Sequence, residues 1–96
     1  MNLQEAIKME GATLVDVRSV EEFEDGTVQG AVNIPLHTIP VRVEEIKSLH
    51  QPVIVFCRSG ARSHQATTWL KQNGVEVIDG GGISNVVSMK QIMNNE

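Results

Sequence analysis

The chain has 96 residues, of which 41% are hydrophobic, and a formal net charge of −4 at pH 7. This length suits one small domain with a single modest core, so we expect one domain over residues 1–96. The acidic balance argues against nucleic-acid binding, and the absence of a leader-like or membrane-spanning apolar run predicts a cytoplasmic protein that binds no membrane.

Hydrophobic spacing and turn residues predict alternating helices and strands along the chain. In chain order the predicted elements are a helix (3–9), a strand (13–17), a short helix capped by Ser19 and Glu22, a strand (31–34), a helix (41–49), a strand (53–56), a helix ending at Asn73-Gly74, a strand (75–78), a turn (79–82) and a last helix capped by Ser84. Short apolar strands separated by helices are typical of an α/β fold with a mostly parallel central sheet and helices on both faces.

The only cysteine, Cys57, lies where the third predicted strand ends, which is the edge at which parallel sheets hold their sites. Small residues in the segment that follows allow the backbone N–H groups to close around an anion. These groups, the start of the next helix and two guanidinium groups all stabilise a thiolate. We therefore interpret Cys57 as a nucleophile and the following loop as an anion cradle, formed by Arg58, Ser59, Gly60, Ala61 and Arg62.

Such a loop suits a thiolate that attacks either phosphorus or a sulfane sulfur. Cysteine phosphatases use a Cys-x5-Arg loop, whereas four residues separate Cys57 from Arg62 here. The shorter loop gives a tighter cradle, which favours a sulfur atom over a phosphoryl group. A phosphatase also needs a general acid, for which Asp16, Glu22 and Asp79 stay open as candidates.

Several motifs occur in one order along nearly the whole chain: Leu14-Val15-Asp16-Val17-Arg18, Glu22-Phe23, Gly30-Ala31-Val32-Asn33-Ile34-Pro35-Leu36, Cys57-Arg58-Ser59-Gly60-Ala61-Arg62-Ser63 and Gly80-Gly81-Gly82-Ile83. Because it has these motifs in this order, the chain resembles the single-domain rhodaneses, which are sulfurtransferases. The resemblance implies that Cys57 takes the outer sulfur of thiosulfate or a similar donor and passes it to cyanide or a thiol. It also implies that residues 58–62 supply backbone donors and that Arg62 faces the anionic donor.

The chain departs from that family's pattern at two places. The family often has His after the glycine of the first half, where this chain has Gly26-Thr27-Val28, and often Trp after Gly-Gly-Ile, where this chain has Ser84-Asn85-Val86. Both missing side chains resemble packing or turn residues, so the departures concern local geometry more than chemistry. Asp16 and Arg18 are interpreted as structural residues, because a carboxylate in an apolar strand needs partners, and either Arg18 or backbone N–H groups near a turn would serve.

The sequence is compatible with three functions. The first is a thiosulfate-type sulfurtransferase that works through a Cys57 persulfide; the others are a persulfide carrier or binding module, and a cysteine phosphatase or arsenate reductase. No metal site or cofactor is expected, since the histidines lack ligand spacing and no nucleotide motif is present. The expected partners are a small sulfur donor and a cyanide or thiol acceptor, which includes a thiol-bearing protein, and the chain is expected to be a monomer.

Overall fold

The computed structural model describes residues 1–94, with the side chains of residues 1–92. Four strands form the sheet: β1 (Thr13–Asp16), β2 (Val32–Asn33), β3 (Val53–Cys57) and β4 (Val77–Gly82). The helices are α1 (Leu3–Lys8), α2 (Val20–Asp25), a 3₁₀ helix (Leu36–Val41), α3 (Val43–Lys47), α4 (Ala61–Gln72) and α5 (Ile83–Asn94). None of the helices in this part of the chain is long and apolar enough to cross a membrane.

The sheet has the strand order β2-β1-β3-β4, and every neighbouring pair is parallel. Parallel pairing places the carboxyl ends of all four strands at one edge. Cys57 is the last residue of β3, one of the two central strands. The predicted α/β fold and the predicted position of the cysteine in it are therefore confirmed.

Helices cover both faces of the sheet because successive strand residues point to opposite sides. On one face Val53, Val55 and Cys57 pack in a cluster with Ala66 and Leu70 of α4. On the other face Phe56 packs with Val86 of α5, and Ile7 of α1 lies against them. All five residues of β3 are buried, which explains the nearly continuous apolar run in the sequence.

The capping box predicted at Ser19 is present. The Ser19 hydroxyl accepts a hydrogen bond from the Glu22 backbone N–H at 3.2 Å, and the Glu22 carboxylate accepts one from the Ser19 backbone N–H at 3.1 Å. This reciprocal pair satisfies two of the free N–H groups at the start of α2. It also fixes the direction of the Glu22 side chain.

The turn predicted at residues 79–82 is wrong: β4 continues to Gly82, and α5 begins directly at Ile83 rather than after a Ser84 cap. Val55 lies opposite Asp79 and Phe56 opposite Gly81, so Gly80 is an extra residue in the strand. A Cβ on Gly80 would lie 2.9 Å from Val86 Cγ2. These glycines allow neighbouring groups to pack directly against the backbone of β4. A strand that is packed in this way and a turn have the same glycine-rich composition, so the sequence did not distinguish them.

Candidate active site

The Cys57 sulfur lies at the centre of the loop that joins β3 to α4. The residue is completely buried, and its Sγ accepts hydrogen bonds from the backbone N–H groups of Gly60 at 3.0 Å and Ser63 at 3.4 Å. Gly60 has φ of +103°, in the left-handed region that favours glycine. This conformation directs the Gly60 N–H back toward the sulfur and starts α4 at Ala61.

The environment of Cys57 acts on its pKa in two opposing directions. Burial, the largest single effect, raises the pKa of the thiol, because it penalises the charged form. Hydrogen bonds from the Ser63 N–H and hydroxyl and from the Gly60 and Ser59 N–H groups together outweigh it, so the pKa of Cys57 is lowered from its ordinary value. Backbone dipoles in a dry site thus favour the nucleophilic thiolate.

Ser63 contacts the sulfur but was not among the site residues predicted from sequence. Its side chain is fully buried, and its Oγ lies 3.7 Å from Cys57 Sγ, 3.1 Å from the Gly60 carbonyl oxygen and 3.4 Å from the Gly81 carbonyl oxygen. The Cys57 thiol donates to Ser63 Oγ, and the hydroxyl proton of Ser63 is shared by the two carbonyl oxygens. When the sulfur is a thiolate, the hydroxyl can turn and donate to it. The position of Ser63 in the sequence could have indicated this contact, because the residue directly follows Arg62 and lies in the first turn of α4.

The glycines of β4 hold the other side of the loop. A Cβ on Gly82 would lie 2.8 Å from the Arg58 carbonyl oxygen, and a Cβ on Gly60 would lie 3.8 Å from Gly81 Cα. The loop backbone therefore lies directly on the end of β4. Ser59 and Ala61, which complete the predicted cradle, are exposed, and the Ser59 N–H contributes to the lowered thiol pKa.

Arg62 does not extend freely into solvent but forms a two-pronged ion pair with Glu22. Its Nη1 donates to Glu22 Oε1 at 2.6 Å and its Nη2 to Oε2 at 3.1 Å. The pair lowers the pKa of Glu22 from 4.5 to about 2, chiefly through the hydrogen bonds from Arg62. The sequence predicted a role for each residue separately and did not predict that they meet.

Arg58 is exposed, and its guanidinium forms no hydrogen bond or ion pair within residues 1–92, whose side chains the structure describes. It lines a shallow groove beside the loop with Arg18, Glu22, Asp25, Gly26 and Ile83. Arg62 lines a second groove with Val17, Ser19, Pro35, Leu36 and His37. The Glu22–Arg62 pair therefore stands between the two grooves that border the cysteine loop.

Asp16 and Arg18 form a structural pair, which is one of the arrangements that the sequence allowed. Arg18 donates to the buried Asp16 carboxylate through its backbone N–H at 2.9 Å and through Nη2 at 2.8 Å. Arg18 Nε also donates to this carboxylate at 3.0 Å, and the Thr27 hydroxyl does so at 2.9 Å. Arg18 Nη2 reaches the Gly26 carbonyl oxygen at 2.6 Å. These contacts tie the end of β1 to the end of α2, which positions Glu22 opposite the loop.

The three carboxylates considered as general acids are all engaged. Asp16 is held by Arg18, Glu22 is held by Arg62, and Asp79 accepts from the Gly81 N–H at 2.9 Å. With its pKa at about 2, Glu22 carries no proton to donate at neutral pH. No cluster of three or more His, Cys, Asp or Glu able to hold a metal occurs among the residues described.

The comparisons with known proteins agree with this geometry. Residues 2–88 match the Rhodanese-like domain family, and the chain belongs to that family. It is 43% identical over 65 residues to a "Sulfurtransferase" of Allochromatium vinosum, covering 68% of this chain and 60% of the relative. It is 33% identical over 78 residues to "Thiosulfate sulfurtransferase PspE" of Escherichia coli, covering 79% of this chain and 75% of that protein.

Among solved structures, the "rhodanese with anions from E. coli" superposes with a TM-score of 0.69 at 33% sequence identity, covering 77% of this chain and 89% of that one. The chain spans less than two thirds of the length of the Allochromatium protein. The match therefore establishes the domain family and its fold.

Proposed function

We propose that the protein is a sulfurtransferase that carries a sulfane sulfur on Cys57 as a persulfide. The observation that carries this proposal is the hydrogen bonding of the buried sulfur by the Gly60 and Ser63 N–H groups, at 3.0 and 3.4 Å. These donors stabilise the attacking thiolate. They also point at Cys57 Sγ, the atom that becomes negatively charged again when the persulfide transfers its outer sulfur.

In the first half-reaction, the Cys57 thiolate attacks the outer sulfur of thiosulfate or a similar donor. A bond forms between the two sulfurs, the bond to the sulfite group breaks, and sulfite leaves with the electron pair. In the second half-reaction, cyanide or a thiolate attacks the outer sulfur of the persulfide and restores the Cys57 thiolate. The chain contains one cysteine, so the acceptor is an external nucleophile.

Two features favour sulfur over phosphorus as the atom attacked. The loop has one residue fewer between Cys57 and Arg62 than a phosphatase loop. The carboxylates near it, Asp16 and Glu22, both accept hydrogen bonds from arginine side chains. A persulfide transfer needs no general acid, because sulfite and sulfur leaving groups depart as anions.

Intact-mass spectrometry of the reduced protein after brief exposure to thiosulfate tests the proposal, with Cys57→Ser as the control. The expected result is a gain of one sulfur atom, about 32 Da, on the wild type alone, and its loss on adding cyanide. Cleavage of an aryl phosphate without any sulfur adduct would overturn the proposal in favour of a phosphatase. If neither reaction occurs, the small-molecule activity is refuted, and a carrier loaded by a partner protein takes its place.

A further inference from the structure

The Glu22 carboxylate is fixed from two directions at the edge of the cysteine loop. Ser19 donates to it through its backbone N–H and its hydroxyl, both at 3.1 Å, while Arg62 donates through both terminal nitrogens. The side chains of Glu22 and Arg62 are 28% and 36% exposed. Because the capping box holds the carboxylate in place, Arg62 meets a fixed negative charge and not a mobile one.

The positive charge available to an incoming anion is correspondingly small. Arg18 pairs with Asp16 at 2.8 Å and Arg62 pairs with Glu22 at 2.6 Å. Arg58 is left as the arginine beside the loop that has no carboxylate partner within residues 1–92. Of the two arginines in the loop and Arg18 in the groove beside it, only Arg58 thus presents a positive charge that no carboxylate within the described residues compensates.

We propose that Glu22 determines donor specificity: by neutralising Arg62, it reduces the advantage of doubly charged donors over singly charged ones. This inference rests on the proposed function and concerns the same site. Thiosulfate and methanethiosulfonate test it directly, since both present an outer sulfur bonded to an oxidised sulfur. Cys57 takes that outer sulfur from either, with sulfite leaving from the first and methanesulfinate from the second. The donors differ by one unit of negative charge.

The variant Glu22→Gln removes the negative charge and keeps a side chain that can still complete the capping box. If the freed guanidinium lies about 7 Å from the donor in a water-like dielectric, Coulomb's law gives about threefold in rate for each unit of donor charge. We therefore expect the rate of Cys57 persulfidation to rise about eightfold with thiosulfate and about threefold with methanethiosulfonate. The ratio of the two rates should increase about threefold, and less at high salt.

Glu21→Gln is the matched control, because it removes the same charge from the neighbouring, exposed position. Its donor ratio should stay near that of the wild type. Arg62→Gln is a second variant, which leaves the Glu22 charge uncompensated and should lower the donor ratio about threefold. The ratio of the persulfidation rates with the two donors is used because a change in loop position that slows both reactions equally cancels in it.

An unchanged donor ratio in both Glu22→Gln and Arg62→Gln, or equal losses of rate with both donors, would overturn the inference and leave the ion pair a structural role. Failure of the proposed function is a different result, since it would appear as a wild-type protein that neither donor persulfidates.

Discussion

Replacing Ser63 with alanine tests how the loop makes the Cys57 thiol acidic. The substitution removes the hydroxyl that lies 3.7 Å from the sulfur and keeps the two backbone donors at 3.0 and 3.4 Å. A hydrogen bond to a charged group contributes about 1.5–3 kcal/mol, and this long contact to sulfur should contribute about 1 kcal/mol. Losing that energy should raise the pKa of Cys57, because the hydroxyl favours the thiolate over the thiol.

The pKa follows from the pH dependence of alkylation of the thiol by iodoacetamide, since only the thiolate reacts. Ser63→Ala should move the curve to higher pH and reduce the thiolate fraction at neutral pH by up to about fivefold. Ser59→Ala is the matched control for this pKa, because its exposed side chain makes no contact with the sulfur while its N–H is retained. Its alkylation curve should stay close to that of the wild type.

A thiol pKa that is unchanged or lower in Ser63→Ala would refute the reasoning and assign the acidity to the backbone donors alone. Folding is checked first by chemical denaturation, because the hydroxyl also lies within reach of the Gly60 and Gly81 carbonyl oxygens. The Gly60 oxygen still accepts from the His64 N–H at 3.0 Å. The expected cost is therefore about 1 kcal/mol in the free energy of unfolding, which leaves a folded protein to titrate.

Three further predictions concern the supports of the loop. Asp16→Ala leaves the buried Arg18 guanidinium without its carboxylate, so urea denaturation should show a loss of about 3–5 kcal/mol, and a loss below 1 kcal/mol would contradict a buried pair. Gly82→Ala places a Cβ 2.8 Å from a loop carbonyl oxygen; it should slow persulfidation about tenfold or more, and an unchanged rate would show that the loop has room to move. Folding lowers the pKa of Glu22 to about 2, so its ion pair stabilises the protein above about pH 4.5 and is lost as pH falls toward 2. Glu22→Gln should cost about 1 kcal/mol at neutral pH, after allowance for solvent screening, and the cost should shrink toward zero as pH falls through 2. A difference of unchanged size in acid would contradict this.

Local signals in the sequence were sufficient for most of the fold. Apolar runs of four or five residues predicted β1 and β3, which pair at the centre of the sheet. The serine and glutamate three positions apart predicted the start of α2, and both hydrogen bonds of that capping box are present. These features depend on residues close together in the chain, where spacing alone sets the geometry.

The glycine-rich segment is a place where local signals in the sequence predicted the wrong structure. Residues 79–82 have the composition of a turn, yet they continue β4 and start α5 without a break. Gly80 and Gly82 are needed because Val86, Val55 and the Arg58 carbonyl oxygen approach closely. Those neighbours come from other elements, so a turn and a tightly packed strand have the same sequence pattern.

The class of site could be predicted from local sequence: one cysteine at the end of a buried strand, followed by a short loop rich in small and basic residues. The groups that surround that cysteine could not be predicted in this way, because they include residues from distant parts of the chain. The tertiary structure paired Arg62 with Glu22, 40 positions earlier in the chain, and placed the Ser63 hydroxyl between the sulfur and the Gly81 carbonyl oxygen. The charge that the loop presents and the acidity of its thiol depend on distances between separate elements, and the packing of the sheet and helices sets those distances.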